Sequence, residues 1–202
     1  RDLIKFTFPI ALQDSLFSLV TWILTIIFLK LSNYNELGLY SASLQWSAII
    51  LLIPGILRNV ILSHLSENIK NESSFNKILK NTLLLNFVAT LLPLIIIYIS
   101  MPLLLKFYGQ SFYGLESVLK ISLFSTLFVS CTTVFNQVFL SKGKNWLVFR
   151  MYLFRSIFLF FCIFLLINKN ILTGAMAFVT SILLANILIF TLILFFFFVK
   201  NK

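Results

Sequence analysis

Charge is what this sequence most lacks. Only 11% of its 202 residues are Asp, Glu, Lys or Arg, whereas 60% are hydrophobic and Phe alone occurs 24 times. A water-soluble domain carries about 25% charged residues, so a soluble globular protein is excluded. Histidine is almost missing: the single His64 lies among Ser and Glu in a polar stretch, where solvation rather than catalysis is expected. There is no Gly-rich phosphate loop, no cluster of metal ligands and no nucleophile–base pair, so the sequence offers no enzyme chemistry and needs no metal or cofactor. The two cysteines, Cys131 and Cys162, fall inside apolar runs, where thiols read as packing residues. Long stretches of alternating polarity are also missing, which argues against a β-barrel.

What is present is a series of apolar runs of roughly 20 residues, the length an α-helix needs to cross about 30 Å of hydrocarbon. Six spans are expected, at about 6–30, 38–62, 78–100, 117–140, 146–167 and 171–199. The fold class is therefore an all-α integral membrane protein, a six-transmembrane-helix bundle over residues 1–202 embedded in a lipid bilayer. The chain opens on Arg1 rather than Met and passes at once into an apolar helix, as expected of a piece of a longer product. Most connections are short. Two are longer: SHLSENIKNESSFNK (63–77) is polar and suits the membrane surface, and MPLLLKFYGQSFYGLE (101–116) suits a re-entrant or interfacial turn.

Twelve of the 16 Lys and Arg residues fall on one side of such a bundle and four (Lys30, Lys106, Lys120 and Lys169) on the other. Because basic flanks stay cytoplasmic, both ends of this segment are expected in the cytoplasm, in the cell (inner) membrane. The net charge of +10 is then a matter of topology and the anionic inner leaflet, with no nucleic-acid partner required.

Polar residues recurring at helical spacing inside apolar spans mark a face turned toward protein or a wet cavity. The first span carries Thr7, Ala11, Asp14, Ser18, Thr21 and Thr25 in alternating steps of four and three, with Gln13 beside them. The second carries Tyr40, Ser43, Ser47, Pro54 and Arg58, with Gln45 and Asn59 to the side. The third carries Thr82, Asn86, Ala89 and Pro93. The fourth is polar on two faces, through Thr126, Ser130, Thr133, Gln137 and Ser141 and through Ser122, Ser125, Thr132 and Asn136, so it belongs deep in the bundle.

Two charges lie deep. Asp14 is nine residues beyond Lys5, about 13 Å along a helix, and Arg155 is nine beyond Trp146, a residue suited to the interface. A central charge costs about 2.5–3.5 kcal/mol on insertion scales and so has a partner or a task. Either Asp14 and Arg155 form a structural ion pair, or they face a polar cavity where Arg155 binds an anion and Asp14 exchanges a cation or proton. Arg58 and Arg150 are shallower and either snorkel to headgroups or ring the mouth of that cavity. Pro54 removes a helical hydrogen bond and Gly55 adds freedom, so the second span is expected to bend there, as a hinge or a fixed kink.

The stretch ELGLYSASLQWSAIILLIPGILRNVILSHLSE resembles the second helix of a lobe in the oligosaccharide-lipid flippases, the Wzx-type exporters of O-antigen and related polysaccharides. The motifs are Gly38-Leu39-Tyr40, Ile53-Pro54 and Leu65-Ser66. FYGQSF (107–112) is similar to the family's Tyr-Gly-x-x-Phe turn, and NQVFLSKGKNW (136–146) to the exit of its fourth helix.

The resemblance spans nearly the whole chain and implies the C-terminal six-helix lobe of a two-lobe, twelve-helix transporter of the multidrug/oligosaccharidyl-lipid/polysaccharide exporter superfamily. It implies alternating access around a central cavity lined by the first two spans, and a polyprenyl-diphosphate-linked oligosaccharide (a unit of O-antigen, lipopolysaccharide, capsule or exopolysaccharide) as cargo. The partners it implies are an N-terminal lobe or second copy and a glycan polymerase. Gln13, Asp14, Gln45, Arg58 and Arg155 are then the cavity candidates, with Pro54 and Gly55 as hinge. Trp22, Tyr40 and Trp46 either stack on sugar rings or serve as anchors and packing. The alternatives are a multidrug or cation antiporter of the same superfamily, for which Asp14 is the one deep acid, and a non-transporting subunit or enzyme of polysaccharide assembly.

Overall fold

Polar residues on both faces of one apolar span leave it no face to turn to lipid, and the fold is organised around that span. The computed structural model describes residues 2–169, 171–172 and 174–199 (for residues 2, 3, 5 and 111, the backbone alone). Arg1, Lys200 and Lys202, which contribute to the charge bias, lie outside the described residues, as does the Lys5 side chain. Eight α-helices occur among the described residues: α1 (Asp2–Leu31), α2 (Tyr34–Ile50), α3 (Leu52–Glu67), α4 (Glu72–Ile99), α5 (Met101–Tyr108), α6 (Leu115–Ser141), α7 (Asn145–Asn168) and α8 (Gly174–Val199). Five are long and apolar enough to cross a membrane, or six if the bent pair α2 and α3 counts as one broken span. The protein is a multi-pass, all-helical membrane bundle.

The central helix is α6, which packs against α8, α2, α4, α3 and α7. Helices in lipid associate through close packing and hydrogen bonds rather than through the hydrophobic effect. Accordingly, the partner α8 buries Ala177, Ser181 and Ala185 at four-residue spacing. Ser122 of α6 donates to Ser43 of α2 at 3.0 Å, and Asn136 donates to the Tyr152 hydroxyl of α7 at 2.5 Å. By contrast α1 lies at the edge. It packs mainly on α7 and touches α2 only lightly.

Each end of the bundle is fastened. At the end carrying Lys70, Lys77, Lys80, Lys142 and Lys144, here the basic end, Asn145 Nδ2 donates to the Phe6 carbonyl at 2.7 Å and Phe8 meets Trp146 with ring centroids 6.1 Å apart. Burial there, reinforced by Lys144 and opposed by Glu72, holds the Lys142 ammonium below the ordinary lysine range. At the opposite end Glu36 Oε2 accepts from the Ala175 N–H at 2.7 Å, so an acid in the first turn of α2 caps the start of α8. The neighbouring Gly174 has φ +54°, and a Cβ there would meet Glu36 Oε2 at 2.3 Å, so only glycine suits the position.

Two local expectations are revised. The second span bends by 46°, but the break falls at Leu51 rather than at Pro54-Gly55. Pro54 sits in the first turn of α3, where no intrahelical N–H is needed. The residues that would have bonded its missing N–H lie just ahead, and there the helix yields. The polar segment 63–77, expected as a longer connection, is mostly helix. Ser63 donates to Glu67 one turn on, and the Asn71 side chain caps α4 by accepting from Ser74 N at 3.1 Å. Polar side chains have no reason to leave a helix once it has passed the apolar region. The 101–116 segment forms α5 and a short 3-10 turn (Gln110–Phe112) between Gly109 and Gly114, both at positive φ. Trp46 Nε1 donates to Tyr108 OH at 3.0 Å and ties α5 to α2.

Candidate functional site

The deep charge on α7 governs the site. Arg155 is half-buried, and its guanidinium is fixed by one acceptor: Asn186 Oδ1 of α8 receives Nε at 3.1 Å and Nη2 at 2.7 Å. Asn186 in turn donates through Nδ2 to Ser125 Oγ of α6 at 2.7 Å. A chain of three helices thus aims the arginine. Nη1 donates to no protein group among the described residues, so part of the guanidinium fork remains available to a ligand. A guanidinium that is positively charged at any working pH and presents parallel donors is suited to carboxylate or phosphate oxygens.

That fork lines a cavity of about 400 Å³ between α1, α2, α3, α6, α7 and α8, within the range of about 300–1,000 Å³ usual for small-molecule sites. Four of its polar lining residues come from α6: Ser122, Ser125, Thr126 and Thr132. The Thr132 hydroxyl is buried without a protein partner. Arg58 of α3 lines the same space, as do Gln13 and Asp14 of α1. Two guanidinium groups against one carboxylate leave one net positive charge. Leu51, where the second span breaks, is also part of the wall, so the bend and the cavity share a residue.

No family model, curated protein or solved structure matches this chain. The site is therefore read from its own geometry.

Of the residues the sequence proposes, the fold brings Gln13, Asp14, Arg58 and Arg155 to one cavity and leaves Gln45 out of its lining, exposed on α2. Asp14 and Arg155 share the cavity without an ion pair: among the described residues the carboxylate–cation contacts within 4.0 Å are His64–Glu67 and Lys120–Glu116. Pro54 is buried, and Gly55 has open space around it. Arg150 is exposed on α7 and donates to the Trp146 carbonyl at 3.3 Å. Trp22 is 72% exposed, whereas Tyr40 is buried, stacked on Phe28 at 5.2 Å and edge-on to Phe178. The α1 stripe is mostly self-satisfied: Ser18, Thr21 and Thr25 each donate to the carbonyl one turn back.

Sequence reasoning missed Asn186. Its signal was nevertheless present, as the one amide in α8, the most apolar of the spans at a mean hydropathy of 2.9. An isolated amide at membrane depth faces protein or cavity.

Proposed function

We propose that this chain is one six-helix lobe of a transporter that flips polyprenyl-diphosphate-linked oligosaccharide across the cell membrane by alternating access. The reading rests on one observation: a guanidinium anchored at membrane depth by Asn186, with free donors toward a cavity of about 400 Å³. Such cargo has a tail that can stay in lipid and a sugar–diphosphate head that cannot. Arg155, supported by Arg58, compensates the diphosphate, while the α6 hydroxyls replace water around the sugars. The positive-inside bias sets both ends of the segment in the cytoplasm, so Arg58 faces the cytoplasmic mouth. The 46° break at Leu51 is the element on which one wall rocks. A second lobe, in the same polypeptide or as another copy, closes the cavity, and a glycan polymerase receives the flipped unit.

Cells lacking the gene are expected to accumulate lipid-linked sugar on the cytoplasmic face, and the wild-type gene to clear it. Arg155→Gln, expressed at the wild-type level, is expected to clear less than a tenth as fast, with Arg155→Lys intermediate. Full clearance by Arg155→Gln would end the flippase reading. One observation favours a second reading, a cation antiporter of the same superfamily: Asp14 lines the cavity without an ion pair. Under that reading Asp14→Asn abolishes export of a cationic dye while Arg155→Gln spares it.

A further inference from the structure

At the end of the bundle opposite the basic end, α4 gives way to the short helix α5, whose two faces meet different surroundings. Met101, Leu104, Leu105 and Tyr108 pack into the main hydrophobic core. Leu103 and Phe107 lie on the other face and are 57% and 81% exposed, with the exposed Lys106 beside them. They extend a row that already runs along α4 through Leu92, Ile96 and Ile99, each more than half exposed. The α4 part of that row lies at membrane depth and suits lipid: the apolar stretch from Thr82 to Ile99 is about 27 Å long, close to a hydrocarbon layer of about 30 Å.

Three contacts fix the depth of α5. Lys120, near the start of α6, lies over the Tyr98 ring of α4 at 5.9 Å, and such Lys and Tyr side chains belong to the membrane–water boundary. Ser122, two residues deeper, bonds to Ser43 of α2. Trp46, one turn past Ser43, donates to the Tyr108 hydroxyl at the far end of α5. Tyr108 is nine residues beyond Ile99, so a straight continuation of α4 would carry it about 13 Å further out, clear of Trp46. Instead α5 turns back and runs along the boundary, with Phe112 closed on Tyr108 at a ring separation of 4.8 Å.

We propose that the outward face of α5 rests in the lipid leaflet at this end, with Leu103 and Phe107 among the upper acyl carbons and the Lys106 ammonium reaching to lipid phosphates. The chemistry selects lipid: a helix with one apolar face and a flanking cation lies in the interface plane, its apolar side sunk about 5–10 Å into the boundary between headgroups and acyl chains. Eight residues alone would hold lipid weakly, but the bundle already presents them at the surface, so little freedom is lost on contact. Trp46 precedes the break at Leu51 by five residues, and the leaflet thereby steadies the half of the second span ahead of the bend. None of these residues lines the cavity around Arg155, so the anchor stands or falls apart from the transport reading.

The purified wild-type protein in nanodiscs of neutral phosphatidylcholine provides the test, with no variant needed. Hydroxyl radicals generated in the water oxidise exposed aromatic rings, and each rate is normalised to that of the same residue in the denatured chain. Tyr34, nine residues outward of Ser43 on α2, is 84% exposed, so Phe107 would oxidise like it if both met water. Phe107 is expected to react at least fivefold more slowly than Tyr34. A phenyl diazirine dissolved in the bilayer should in turn label residues 103–107 within threefold of residues 92–99 of α4. A difference in oxidation of less than fivefold, or diazirine labelling of 103–107 below that range, would overturn the anchor. Protection of Phe107 in native membrane vesicles but not in nanodiscs overturns it too, and assigns the face to a partner protein.

Discussion

The helices α1 and α6 both carry runs of hydroxyls and amides, yet the fold buries them to different extents and only α6 sends some of them to other helices. In α6, 56% of the spanning window is buried, against 17% in α1. Three α6 side chains reach other helices, as Ser122 reaches Ser43, Asn136 reaches Tyr152 and Ser125 receives Asn186, while Thr126, Ser130, Thr133 and Ser141 donate to carbonyls of their own helix. In α1 the hydroxyls of Ser18, Thr21 and Thr25 fold back on their own backbone. A stripe of Ser and Thr therefore does not by itself announce a partner, since a hydroxyl in a helix can always satisfy itself on the carbonyl one turn earlier. Amides and guanidinium groups cannot do so as completely, and it is they that hold the cavity together.

The contrast is open to attack, beginning where the effect should be greatest. Asn186→Leu strips Arg155 of both hydrogen bonds and is expected to destabilise the bundle by about 1.5–3 kcal/mol, read by thermal unfolding in detergent. Adding Arg155→Leu should recover most of that loss, because removing both partners of a buried hydrogen bond is nearly neutral, while clearance of lipid-linked sugar stays lost. A double variant that stays as unstable as the single one would show that the anchor is not what Asn186 provides. Next comes Gly174→Ala, which forces a Cβ onto a left-handed backbone and against Glu36, for an expected loss of about 1–2 kcal/mol in the same assay. An unchanged melting temperature would remove the α2–α8 fastening from the account. A double-mutant cycle on Ser43→Ala and Ser122→Ala should return a coupling of about 0.6 kcal/mol, the average for such bonds in membranes. Smallest of all is Ser18→Ala in α1, expected to stay within about 0.5 kcal/mol of wild type. A larger loss there would erase the distinction between the two helices.

Much of the bundle was legible before folding. Apolar runs of membrane-crossing length mark the long helices, and the two polar faces of the fourth span place it at the centre. Two features were read less well. The bend was assigned to Pro54, but a proline tolerated in a first turn shifts the break upstream, to Leu51 three residues earlier. The polar 63–77 segment looked like a loop because composition alone does not distinguish a solvated helix from a turn. At the site, Gln13, Asp14, Arg58 and Arg155 stood out as costly residues in lipid, whereas Asn186 was passed over, and Gln45, equally costly by composition, lies outside the cavity.

The sequence by itself determined that this chain carries five or six segments able to cross a membrane and which residues are expensive to leave in hydrocarbon. Those follow from lengths, counts and transfer energies, all of them local quantities. Only the tertiary structure decided that Arg155 bonds to Asn186 rather than to Asp14, and that Gln13, Asp14, Arg58 and Arg155 line one cavity. Both depend on how the helices are rotated and how far apart they sit, and helical periodicity fixes neither across separate helices. Rotation and spacing are set by the small residues of α8 and the fastenings at each end of the bundle, whose effect exists only once the helices meet.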